Sequence, residues 1–426
     1  MTTHLAMARQ QGAALLLGVL LLGVLGVALV AYFGLSLLAG HTMRQQYAND
    51  AVAYSAAVAQ SRALNLLSFT QRAQLAHQVA LAHLITLASW HQAGLMQQAR
   101  LRQANPPLHL LALFFGPGAA ASYQSSQGLH ASDQRALQQA IAEHESAVQN
   151  SLRALQRDVL MHLPAEREHI ANTVVQANFP ELPAHSWQLR IHQDDWSAAW
   201  RPEVSMPWHI LSGLQHIQGM YAFLHERNHD KRSLWVVDKR CPWRRHELRR
   251  RGSTVLGNDG RWRASDTQSL HAIRANRWVG CYSREYPMAW AWMAVDRAHG
   301  FGHASTDQPP DNFSEQSFWR WVQEHTSWDI FSGNANALAN SWALRDQQPV
   351  HTAPMPPLLE LQQQQALAFR VDLRIQGPAF QWVATQSGAE SFFRHPESSN
   401  SSVESPNLFQ PYWLARLSQN AVQELP

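Results

Sequence analysis

The chain of 426 residues has two cysteines and almost no lysine. Two cysteines, Cys241 and Cys281, exclude a disulfide-dense small scaffold and any zinc module built on four thiolates. Lys231 and Lys239 are the only lysines, so arginine supplies nearly all of the 34 basic residues. Acidic residues are nearly missing from the first 132 positions, where Asp50 stands alone against Arg9, Arg44, Arg62, Arg72, Arg100 and Arg102. The formal charge of +3 and the pI near 9.0 therefore belong to that segment, and the rest of the chain is slightly acidic. The high pI is therefore no evidence for nucleic-acid binding, and no nucleic-acid partner is expected. A second long apolar run is lacking too, which excludes a polytopic membrane protein. There is no phosphate-cradling glycine loop, no G-x-S-x-G elbow and no internal repeat. No enzymatic activity, catalytic residue, metal or cofactor is expected.

The composition, 46% hydrophobic and 15% charged, is that of a folded protein with a sizeable core. From Gly12 to Ala39 run 28 uncharged residues dominated by Leu, Val, Ala and Gly. As a helix they extend about 42 Å, more than the roughly 30 Å of a bilayer's hydrocarbon core. Tyr32 and Phe33 lie near one end, where interfacial aromatics collect. A cleaved signal peptide is the alternative, but its apolar region is shorter and its leader more basic than Arg9 alone provides. The reading is a short cytoplasmic N-terminus (1–11), one transmembrane helix (12–39) and a large extracytoplasmic remainder. In that compartment Cys241 and Cys281 can pair, closing a loop worth roughly 4 kcal/mol in the chain-entropy account.

Residues 41–180 read as helical. Between Tyr47 and Ala104 there is no proline, and Gly94 is the only glycine. Apolar residues recur in steps of three, four or seven from Val52 to Leu87, one face of a long helix continuing the membrane span with one or more breaks. Gln, Arg and His occupy the other face. The stripe is mostly alanine, so it needs a close-packed partner, either the rest of the chain or a second copy. Pro106-Pro107 end this helix, and Ser132-Asp133 start a second that runs to Met161, is interrupted at Pro164 and resumes from Ala165 to Gln176, giving a helical hairpin.

A Trp-rich α+β region (184–346) and a strand-rich C-terminal region (366–426) follow. Strands are expected at 187–192, 233–237, 278–282, 369–375 and 380–384, and a helix from Ser314 to His325. A linker spans Gln347–Gln365, and a Ser/Asn-rich loop covers 398–405. Most of the 17 tryptophans fall in this half and are expected to pack cores and sheets. The class is therefore α+β.

One stretch fits a catalytic pattern. His225-Glu226-Arg227-Asn228-His229 matches H-E-x-x-H, in which two histidines on one helix face bind zinc and the glutamate activates water. A membrane-tethered zinc peptidase is the enzyme alternative, disfavoured because Arg227, Asn228, Asp230, Lys231 and Arg232 make the surroundings too polar for a buried helix. Lys239–Arg251, with seven basic residues against Glu247, reads as a solvated turn.

Three further stretches belong together: Arg9-Gln10-Gln11-Gly12-Ala13-Ala14 leads into the apolar span, Asn49-Asp50-Ala51-Val52 and then Asn65-Leu66-Leu67-Ser68 follow it, and Asn407-Leu408-Phe409-Gln410-Pro411-Tyr412-Trp413 comes near the end. In these the chain resembles the TadE/TadG-like proteins of tight-adherence (Tad, or Flp) pilus assembly, most closely over residues 9–90. The resemblance implies a single-pass bacterial inner-membrane protein with a periplasmic domain, lacking enzymatic activity. Its implied partners are the lipid bilayer, through Gly12 to Ala39, other pilus or secretion assembly proteins, and further copies of itself. A pseudopilin-like filament subunit is the alternative within that setting. Prepilins carry a glutamate five residues into the mature chain, and counted from Gly12 that position is Leu17. The metal-adhesion motif Asp-x-Ser-x-Ser of many TadG-type proteins is missing from the sequence.

Overall fold

The computed structural model describes residues 7–125, 131–201, 219–236, 238–276, 280–291, 350–362, 366–376, 382–394 and 405–418. They form a mixed helix and sheet protein. Its helices are α1 (Met7–Arg102), α2 (Leu108–Phe115), α3 (Pro117–Ser125), α4 (Ala131–Ser146) and α5 (Arg153–Asn178). Its strands are β1 (Trp187–Asp194), β2 (His229–Arg232), β3 (Glu247–Leu256), β4 (Trp262–Asn276), β5 (Gly280–Ala291), β6 (Val350–His351), β7 (Ala366–Gln376), β8 (Trp382–Phe393) and β9 (Trp413–Leu417). The expected helix at 314–325 and most of the loop at 398–405 lie outside the described residues, as do Trp278, Phe380 and parts of the linker.

Helix α1 is continuous, without the expected breaks, because no proline interrupts its hydrogen-bond ladder. It ends where Ala104 turns to φ 52° just before Pro106. Its large apolar side chains from Leu15 to Leu38 are 45% to 74% exposed, so none of the described residues covers them. One helix is thus long and apolar enough to cross a membrane.

Pro164 does not interrupt the later helix as expected; α5 runs through it. A proline frees the carbonyl four residues earlier, and here the Trp196 indole N–H donates to that oxygen, on Leu160, at 3.1 Å. The irregularity falls instead at Ala147–Leu152, a π-helical stretch between α4 and α5.

The chain folds into two compact units that are discontinuous in sequence. The first comprises Met1–Arg72, Leu155–Glu203 and Leu359–Pro426. Its sheet is antiparallel, in the order β1-β7-β8-β9. Alternate residues of β7 (Leu367, Phe369, Val371, Leu373, Ile375) turn inward. Phe369, Val371, Leu373 and Ile375 meet Ala48, Val52, Ala53, Ala56 and Ala57 of α1 and Ala171 and Val175 of α5, while Leu367 packs in a cluster with Ala63, Leu64 and Leu67. The alanine face of α1 therefore has its partner within the chain for this stretch. Its small side chains let the helix lie close to the sheet.

The polar residues of α1 depart from expectation: Gln45, Asn49, Gln60 and Gln71 are buried, not solvated. The close approach explains it, since their amides reach sheet and loop carbonyls. Gln45 Nε2 donates to Leu373 O and Val383 O, both at 2.8 Å, and Asn49 Nδ2 to Thr385 O at 2.9 Å. An amide N–H so paired avoids the desolvation cost of an unpaired donor.

The second unit comprises Ala73–Ala154 and Val204–Leu358. Its antiparallel sheet has the order β2-β3-β4-β5, with β6 pairing β4 beside Arg263 and Ala264. Leu111 and Phe115 of α2 and Tyr123 of α3 pack on Leu248, Leu270, Ala272, Tyr286 and Met288. The expected strand at Ser233–Val237 is absent from its described residues, and the strand there is β2, just before it. Ser233–Val236 cap a helix instead: the Leu234 N–H donates to Phe114 O at 2.8 Å and the Trp235 indole to Leu113 O at 3.2 Å. These are carbonyls that a helix leaves without an intrahelical partner. The basic run at Lys239–Arg251 is not wholly a turn either, because its end, Glu247–Arg251, begins β3. Tryptophans divide: Trp196, Trp262 and Trp413 are buried as expected, while Trp243 is 95% exposed.

Candidate functional site

A buried ion pair organises the second unit beneath α1. Asp266, on β4, is 2% exposed. Arg227 grips its carboxylate at two points, Nε to Oδ1 at 3.0 Å and Nη2 to Oδ2 at 2.9 Å. The Ser89 hydroxyl of α1 donates to Oδ2 at 2.6 Å, and the Thr86 hydroxyl pairs with that of Thr254 at 2.8 Å. Gly252, on β3, is what lets these groups meet, since a Cβ there collides with the Asp266 carboxylate and the Arg227 side chain.

Beside this pair lies a cleft of about 520 Å³, walled by α1 and α3 and floored by β2, β3 and β4. Small residues make the room: Ala93 and Gly94 on α1, Gly118 and Ala119 on α3. Trp90 stands half-exposed on the wall, with the Arg250 guanidinium 5.1 Å from its ring centre. Tyr123 is buried, and burial raises its pKa well above the ordinary phenol value. The register pairs His229 with Arg250 and Lys231 with Leu248, so His229, Lys231 and Arg250 share one face of the sheet. On the other face each arginine has a carboxylate partner. Glu247 accepts from Arg232 at 3.2 Å and Arg249 at 2.7 Å, and Asp230 from Arg251. The Arg251 guanidinium, hydrogen-bonded to Asp230, holds that carboxyl below its usual range.

The H-E-x-x-H residues take none of the geometry a zincin needs. His225 follows a single 3₁₀ turn, Ala222–Leu224, and His229 begins β2, so the two are not on one helix face. Glu226 accepts from Asn228 at 2.7 Å, and Arg227, inside the motif, is the arginine that holds Asp266. Among the described residues no group of three His, Cys, Asp or Glu side chains is placed to hold a metal. Cys241 is buried and disulfide-bonded, and Cys281 is the only other cysteine in the sequence.

In the first unit the motifs near Asn65 and Asn407 come together, while that near Asn49 meets β8. Asp50 accepts from the Ser387 hydroxyl at 2.6 Å. Asn65 makes both amide bonds with the backbone of Trp413, Nδ2 to its carbonyl and Oδ1 from its N–H, each at 3.0 Å. The Trp413 indole donates to Asn407 O at 3.0 Å, and Gln71 Nε2 to Leu408 O at 3.2 Å. Asp50 thus holds α1 to β8, and Asn65 and Gln71 hold it to β9 and the segment before β9.

Arg167, on α5, is fully buried and donates to Gln60 Oε1 of α1 and to Asp194 Oδ2 at 2.5 Å. Burial lowers its pKa from the ordinary arginine value, against the pull of Asp194. Its guanidinium lies 5.0 Å from the Phe369 ring centre and 5.8 Å from that of Trp196.

The sequence expectations contained neither ion pair nor the cleft. The lone Gly94 in a long helix and the Asp259-Gly260 turn between β3 and β4 were the available signals. No protein-family model, no curated protein and no solved structure matches the chain.

Proposed function

We propose that the chain is a non-enzymatic, membrane-anchored component of a Tad/Flp-type pilus-assembly or related secretion apparatus in the bacterial inner membrane. Gly12 to Ala39 hold it in the bilayer, and the folded residues after Ala39 lie in the periplasm. The observation that carries this reading is the exposed apolar surface of α1 from Leu15 to Leu38, continuous with a folded remainder. A disulfide at Cys241 fits an oxidising compartment. Support for the pilus setting comes from the TadE/TadG-like stretches: Asn65, Asn407 and Trp413 are joined by hydrogen bonds in the first unit, so they serve one structural purpose.

Deleting the encoding gene tests the setting. Loss of surface pili and of adherence, restored by the intact chain, is expected; unchanged piliation overturns it. N-terminal sequencing of the membrane-extracted protein separates the anchored form from a filament subunit. The residues before Gly12 are retained in the first, whereas an N-terminus at Ala13 overturns it.

A further inference from the structure

We infer that the cleft of the second unit binds an acidic saccharide, a pyranose ring bearing a carboxylate or phosphate. Its volume of about 520 Å³ lies within the roughly 300–1,000 Å³ of small-molecule sites. The argument for negative charge is the balance of the lining. Asp266 is neutralised by Arg227, and Arg249 by Glu247. Among the described residues Lys231 and Arg250 have no carboxylate partner, so two cations face the cleft uncompensated. An oxyanion placed there gains charge-assisted hydrogen bonds.

The argument for a saccharide is the neutral part of the wall. The Trp90 indole stays half-exposed with the Arg250 guanidinium 5.1 Å from its ring centre, and its remaining surface is flat and apolar, to which the C–H face of a pyranose is complementary. Ser122 and Gln268 add hydroxyl and amide groups matched to ring hydroxyls. Small lining residues, Gly94 one turn along α1 from Trp90 and Gly118 on α3, leave the ring space to enter. This site stands independently of the pilus reading, since it rests on the second unit alone.

The test uses the full chain in an uncharged detergent and isothermal titration calorimetry. The probes are digalacturonate, glucose 6-phosphate, inorganic phosphate and maltose. One site is expected for digalacturonate or glucose 6-phosphate, with binding at least about tenfold tighter than that of maltose or inorganic phosphate. Whichever acidic probe binds tighter fixes the acid as carboxylate or phosphate. Lys231→Ala, on the exposed strand β2, is expected to weaken that binding about tenfold. Gly118→Leu is expected to abolish it: a Cβ at Gly118 meets no atom within 4 Å, so the larger side chain fills the cleft without disturbing α3. Absence of binding by both acidic probes overturns the inference. So does maltose or phosphate binding as tightly as they do, or acidic-probe affinity unchanged in both variants.

Discussion

The two units solve the same problem with different chemistry. Each lays a part of α1 against an antiparallel sheet and buries an Arg–Asp pair that a polar side chain of α1 completes. In the first unit Arg167 comes from a helix, its side chain 0% exposed, and Gln60 is the α1 partner. In the second Arg227 comes from a short turn, its side chain 13% exposed, and Ser89 is the partner. Along the first unit, alanines bring α1 close enough for its amides to bond the sheet backbone. Along the second, the α1 bonds to the sheet run through the short hydroxyls of Thr86 and Ser89, while the Gln97 amide bonds α3 at Tyr123 O, and Ala93 and Gly94 leave a cleft. Small residues on a helix therefore have two outcomes. Facing apolar strand residues they close the gap, and facing charged ones they leave it open.

Breaking the first clamp gives the largest effect. Asp194→Ala strands a fully buried guanidinium, a loss of about 3–5 kcal/mol. Hydrogen-exchange mass spectrometry is expected to show faster exchange in β1 and β7 with β3 and β4 unchanged. Equal loss in both sets of strands would mean that the units do not unfold separately.

A smaller effect is expected from Gly252→Ala, which drives a methyl group into the Arg227–Asp266 pair. Such overpacking costs about 1–3 kcal/mol, and here protection is lost from β3 and β4 while β7 is spared.

The smallest effect is one of pH. His77 of α1 and His144 of α4, both in the second unit, meet through their Nδ1 atoms at 2.7 Å. Burial, and then the neighbouring His144, lower the His77 pKa from its ordinary 6.5. The folded state thus binds the proton less readily than the unfolded one. The pair's contribution is present above pH 6.5 and declines as pH falls through that value towards the lower folded one. Exchange in the second unit is expected to quicken between pH 7 and pH 5, and His77→Gln to flatten that dependence relative to the first unit.

Legibility in the sequence followed how clearly each element's two faces differ. β1 and β7 were readable because more and less exposed residues alternate along them. β3 was hidden by Arg249, Arg250 and Arg251, whose charges outweigh the inward Leu248, Thr254 and Leu256. The glutamines and asparagines of α1 read as a solvated face because an amide is equally suited to water and to a backbone carbonyl. Only the fold decides between them. Asp194 and Asp266 lie far in sequence from the arginines they bind, and no local pattern announces such pairs.

The central claim is that everything after Ala39 lies outside the cytoplasm behind a single span. Alkaline phosphatase and green fluorescent protein fused in turn after Pro426 test it most directly in bacterial cells. The account predicts an active phosphatase and a dark fluorescent protein. An inactive phosphatase with a bright fluorescent protein would contradict it.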